Sequence, residues 1–230
     1  MKKIFITFCL LVLSCSVFSQ QIKNKNVEID DFITLLGAAG YELFSYDVTE
    51  MLNERYDITL VIKEFSAGKE IESSNLTTVS NKTLLTDIPE SNRQKFIDRG
   101  HVIDPQTQAI AHVQKINFGF YPSDNDSTKL MQINIPDFMI IPKVTFKLKG
   151  LANKHSDKMF FAYRTRPFKM KTLIEDEFIP LILLGSCWYD EQFDRYRFCG
   201  EREIDPDMSS KILEYVPHHY IIGVRFVKKQ

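Results

Sequence analysis

Residues 178–200 read FIPLILLGSCWYDEQFDRYRFCG, and this stretch decides the fold. Residues 178–184 are apolar without alternation, the pattern of an interior strand covered on both faces. Beyond them two cysteines flank a polar turn. With Phe193 at the centre of that turn, Cys187 faces Cys199, Trp188 faces Phe198, Tyr189 faces Arg197 and Asp190 faces Tyr196. That is the pairing of an antiparallel hairpin, which predicts a Cys187–Cys199 disulfide across it. A bridge closing so short a loop adds about 3 kcal/mol at most.

The compartment follows from the opposite end of the chain. MKKIFITFCLLVLSCSVFSQQ has basic Lys2 and Lys3, an apolar core over residues 4–18 and small or β-branched Val17 and Ser19. This is the layout of a secretory signal cleaved after Ser19, leaving 20–230 as one exported domain. Acylation at Cys15, as in a lipoprotein, is the minority alternative. Cys9 and Cys15 leave with the signal, so Cys187 and Cys199 remain alone in an oxidising compartment. Loss of Lys2 and Lys3 takes the formal charge from -1 to -3, which argues against a nucleic-acid partner. After the signal, no apolar run reaches the roughly 20 residues of a membrane-spanning helix.

Between these ends the period is mostly two. Phe44, Tyr46 and Val48 alternate with polar residues, as do Ile58, Leu60 and Ile62, then Ile116, Phe118 and Phe120, then Met131, Ile133 and Ile135, then Val144, Phe146 and Leu148. Further strands are expected over residues 159–170 and 219–228. Helical spacing occurs over 27–40, where Ile29, Phe32, Ile33 and Leu36 share a face meant to pack on a sheet, and over 207–215. Residues 66–100 are rich in Ser, Thr, Asn and Lys and read as a surface excursion holding one short helix. With no strand–helix alternation, the fold class is all-β: a mostly antiparallel β-sandwich, jelly-roll-like in one arrangement, with two or three short helices.

The chemistry-bearing candidates are aromatic. Trp188, Tyr189, Phe193 and Tyr196 cluster at the hairpin, where flat amphipathic rings stack on sugars or anchor a protein. Alternation sets Trp188 on the face of Ile182 and Leu184, a core position, whereas Phe193 at the tip has little core to enter. The histidines His101, His112, His155, His218 and His219 offer no third ligand at metal spacing, so no metal or other cofactor is expected. GxSxG and glycine-rich phosphate loops are missing. Carboxylates are plentiful, but spacing along one strand does not set two of them across a cleft.

The whole pattern, an export signal ending at a Ser-Gln junction, a short helix and an aromatic-rich antiparallel β domain, resembles the small exported all-β proteins of unknown function from Gram-negative bacteria. That resemblance implies a periplasmic or extracellular protein and carries no functional residue across. The leading expectation is a non-enzymatic binding module of the envelope that presents loops to a glycan or a protein partner. A hydrolase of glycans or envelope polymer, with paired carboxylates in a cleft partly covered by residues 66–100, is the second. A structural or assembly component is the third.

Overall fold

The structure, a computed structural model, describes residues 28–98, 103–104, 106, 108–154, 156–198 and 200–229. The signal-like residues 1–19, His101, His155 and Cys199 lie outside the described residues. The chain divides into two compact units, Met1–Leu35 and Leu36–Gln230. No described helix is long and apolar enough to cross a membrane.

Helix α1 (Ile29–Ala38) starts among the acids Glu28 and Asp30, which suit a helix N-terminus. It ends where Gly40 turns left-handed (φ 84°), with Gly40 N–H bonded to the Gly37 carbonyl and Tyr41 N–H to that of Leu36. Its apolar residues Ile29, Phe32, Ile33, Leu35 and Leu36 are exposed.

The second unit is a mostly antiparallel β-sandwich. Its strands are β1 (Glu42–Asp47), β2 (Tyr56–Ser66), β3 (Lys69–Ser80), β4 (Lys82–Leu84), β5 (Ile103–Asp104), β6 (Ala109–Ala111), β7 (Lys115–Pro122) and β8 (Thr128–Ile135). They continue as β9 (Met139–Lys147), β10 (Leu151–Ala152), β11 (Met159–Phe160), β12 (Tyr163–Pro167), β13 (Phe178–Ser186), β14 (Trp188–Asp190), β15 (Arg195–Arg197) and β16 (His218–Lys228). Helices α2 (Glu90–Asp98) and α3 (Ile212–Tyr215) are short. One layer orders its strands β1-β7-β8-β9 and the other β12-β13-β16-β2-β3. Smaller sheets are β4-β6-β5, β10-β11 and β14-β15.

The period-two residues meet between the two large sheets. Phe118, Phe120, Met131, Ile133 and Phe146 from one and Ile58, Leu60, Ile182, Ile222 and Val224 from the other form a single buried core. β13 is interior, paired with β12 and β16, and is buried on both faces as its unbroken apolar run requires. Its outer face carries Leu183 into a second core with Ile221, Phe168, Ile204, Ile212 and Val216, which α3 covers.

Residues 66–100 depart from the expected excursion. Most of the first half is β3, a twelve-residue strand paired along the length of β2. Ala67 and Gly68 both hold positive φ (50° and 74°), a two-residue turn matching the strand twist. The polar composition misleads because β3 is an edge strand whose side chains are mostly exposed. The expected helix is present as α2.

Candidate functional site

The β14–β15 hairpin closes around four residues, 191–194, and not around Phe193. Trp188 pairs with Arg197, Tyr189 with Tyr196 and Asp190 with Arg195, one position off the expected register. Two local features explain the even loop: Asp190 Oδ1 accepts from Gln192 N–H at 3.1 Å, and Asp194 sits left-handed at φ 48°. Cys187 is free, against the expected Cys187–Cys199 disulfide, and Cys199 itself lies outside the described residues. Cys187 belongs to the β12–β13 pairing, donating its N–H to the Ala162 carbonyl at 2.9 Å. It is a buried free thiol, whose pKa desolvation pushes up to about 11.

The break in pairing at Cys187 also moves Trp188. Its indole packs beside Leu183, Ile212 and Val216 on the outer face of the five-stranded sheet, away from Ile182 and Leu184 in the central core. There it is half-buried and lies against Tyr215 of α3, ring centroids 5.9 Å apart and planes 19° from parallel. Together these rings floor an open cleft of about 800 Å3. Tyr189, Asp190, Glu191 and Arg197 come from the hairpin, Lys211 and Ile212 from the α3 side, and Gly200 and Glu201 from the segment between. The chain passes closely over the helix at one wall: a Cβ on Gly200 would lie 2.8 Å from Ile212 Cδ1.

Two charge pairs are fixed at the cleft. Asp190 holds Arg197, whose guanidinium keeps that carboxyl below its ordinary range. Glu191 pairs with Lys154 at 2.8 Å, and its pKa is lowered for that reason. The same Lys154 ammonium sits 3.9 Å over the Tyr189 ring. Tyr189 donates its hydroxyl to Asp194, which raises the phenol to about 12. Both carboxylates therefore stay ionised through neutral pH and accept hydrogen bonds; neither is suited to deliver a proton.

Of the four aromatic residues singled out in sequence, Trp188 and Tyr189 line the cleft. Tyr196 is structural: its hydroxyl donates to the Ala152 carbonyl at 2.6 Å, accepts from Lys154 N–H at 3.0 Å, and its ring meets Phe160 edge-on. Phe193 is exposed at the tip, with the Arg195 and Arg197 guanidinium groups 5.3 and 5.1 Å from its ring. Tyr215, Lys211 and Glu201 were not legible, since only tertiary folding returns α3 to the hairpin. Among the described residues no group of three or more His, Cys, Asp or Glu is arranged for a metal ion. His112 meets Thr83 at 2.8 Å and stacks on Phe138.

Residues 11–228 match the model of a domain of unknown function, DUF5041. The chain belongs to that family. No curated protein and no solved structure matches the DUF5041 chain.

Proposed function

We propose that this DUF5041 protein is an exported binding module of the cell envelope whose ligand is a glycan, held at the Trp188–Tyr215 floor. The observation that carries the reading is the offset, nearly parallel ring pair in an open cleft, with Tyr215 57 % exposed. Such a surface takes the C–H face of a sugar, and aromatic residues with polar tips suit a half-wet site. Ionised Asp190 and Glu191 at the wall accept hydroxyl hydrogens, while Lys211 and Arg197 donate to ring and hydroxyl oxygens. Export rests on the signal-like residues 1–19, with the folded unit acting beyond the inner membrane.

A glycan array probed with the full chain and with Tyr215→Ala tests this. Expected is binding to a restricted set of glycans, weakened in Tyr215→Ala and retained in Phe193→Ala. Silence on every glycan, or equal binding by the Tyr215 variant, would overturn it and favour a protein partner.

A further inference from the structure

The two rings of the aromatic floor leave a shared junction of buried polar groups. Trp188 follows Ser186 by two residues and Tyr215 precedes His218 by three, and the His218 N–H donates to the Ser186 hydroxyl at 3.3 Å. Gly185 pairs with His219 in the β13–β16 ladder, and Val216 lies close over it: a Cβ on Gly185 would meet Val216 Cγ1 at 3.2 Å. The Ala67 N–H donates to the Pro217 carbonyl at 2.9 Å, tying the same segment to the β2–β3 turn. A shift of residues 216–219 therefore moves Tyr215 against Trp188.

Two histidines occupy the junction, 2 and 3 % exposed. His218 is fully satisfied only when neutral. The Tyr163 oxygen accepts the Lys149 N–H at 2.9 Å, so its own hydrogen goes to His218 Nδ1, and His218 Nε2 donates to Glu64 Oε1 at 2.8 Å. A second ring hydrogen would set Nδ1–H against the Tyr163 O–H. Burial, with the Lys149 charge adding, outweighs the attraction of Glu64 and lowers the His218 pKa. The Tyr220 ring meets His218 edge-on at 5.1 Å. Burial pushes both phenols and the Cys187 thiol upward, so all three stay protonated around neutral pH. His219 lies flat on Phe65 with Nδ1 lacking a hydrogen-bond partner among the described residues. Burial and the neighbouring His218 oppose a charge there, the Val216 carbonyl favours one, and the pKa falls to about 4.

We infer that this histidine pair gates the aromatic floor: mild acid charges it, frees residues 215–219 and parts Tyr215 from Trp188, releasing the glycan that neutral pH holds. The inference rests on the glycan reading for what is released, and on the junction alone for the movement. A histidine ring released to water titrates near 6.5. Set against a His219 held near 4, the open segment gains about thirtyfold at pH 5 and almost nothing at pH 7.5. Above pH 6.5 the closed floor is therefore favoured, and toward pH 4 the open one. The carboxylates of the cleft do not share the transition, since their ion pairs keep Asp190 and Glu191 ionised through this window.

The test follows Trp188 emission of the full chain without ligand from about pH 7.5 to 4.5, beside far-ultraviolet circular dichroism. Calorimetry then measures binding of the array oligosaccharides at about pH 7.5 and 5. Expected are a red shift of the emission with its midpoint between about pH 6.5 and 4 at constant circular dichroism, and affinity at least about threefold weaker at the lower pH. The shift should shrink in His219→Phe and vanish in His218→Gln/His219→Phe; where the double variant does not fold, His219→Phe alone decides. Emission that stays constant with pH, shifts equally in His219→Phe, or moves only as circular dichroism is lost would overturn the gate. Equal affinity at both pH values would overturn it while leaving glycan capture intact. With no oligosaccharide bound at neutral pH the glycan reading fails, and the emission titration still decides the gate.

Discussion

Trp188 and Tyr215 stack 5.9 Å apart although one ends a hairpin and the other a four-residue helix. The contact joins the second hydrophobic core to the open cleft, since Trp188 packs on Leu183 and Ile212 while Tyr215 is mostly in solvent. Tyr215→Ala should therefore lower stability by only about 1 kcal/mol, the worth of one exposed aromatic pair. Trp188→Ala should cost about 3 kcal/mol or more, because it opens the core. Urea melts of both variants check the difference; equal losses would contradict the placement of Trp188.

Gly223 lies opposite Pro180, where the β13–β16 pairing bulges. A Cβ there would meet the Ile179 carbonyl oxygen at 2.3 Å and the Phe178 ring at 2.6 Å. Gly223→Ala is expected to destabilise the fold by about 1–3 kcal/mol through overpacking, read as a lower urea midpoint with an unchanged slope.

Asn81 is fully buried within a polar run. Its amide donates to the Met51 and Glu54 carbonyls at 2.8 and 2.9 Å and accepts from Tyr56 N–H at 2.9 Å, tying the turn before β2 to the end of β3. Asn81→Ala leaves these groups unpaired and should cost about 3 kcal/mol. Asn81→Asp keeps the shape but sets a carboxylate against two carbonyls, and should cost at least as much. Thermal melts on both variants check this.

His219 lies flat on Phe65, ring centroids 4.8 Å apart, with Nδ1 lacking a hydrogen-bond partner among the described residues. Burial, with His218 adding, pushes its pKa down to about 4. The unfolded chain titrates near 6.5, so between those values the unfolded state binds a proton that the folded state refuses. Stability should be full above pH 6.5 and fall as pH drops toward 4, by roughly 3 kcal/mol over the window. Burial lowers His218 as well, in the same direction. Urea midpoints at pH 7.5, 6 and 5 should decline in sequence, and His219→Phe should flatten part of that decline.

Cys187 combines burial with a raised pKa. Iodoacetamide at pH 8 should leave it unmodified in the folded protein and alkylate it in urea, as read by peptide mapping. Alkylation at equal rates in both states would contradict its burial.

The strands were legible because the interior of this sandwich is built from strict alternation: Ile116, Phe118 and Phe120 all point to one core, and so do Met131, Ile133 and Ile135. The unbroken run in β13 announced a strand covered twice. β3 was not legible, since an exposed edge strand needs no apolar face and its Ala67-Gly68 turn lacks the usual Asn-Gly signature. Register failed by one residue at the β14–β15 hairpin because symmetry about Phe193 assumes an odd loop, whereas Asp190 and Asp194 stabilise an even one. That single step displaced the partners assigned to Trp188, Tyr189 and Asp190. Half of the aromatic cleft was visible in the hairpin; the other half arrives from α3, and no local pattern couples Tyr215 to Trp188.

Trp188 is the only tryptophan in the chain, so its emission reports on the proposed site without a label. A titration of the full chain with oligosaccharides representing the array glycans, followed by Trp188 fluorescence and by calorimetry, tests glycan capture most directly. The expected result is a saturable change in Trp188 emission tracking the heat of binding, with affinity at least about tenfold weaker in Tyr215→Ala. Heat of binding with Trp188 emission unmoved, or no heat with any of the oligosaccharides, would contradict it.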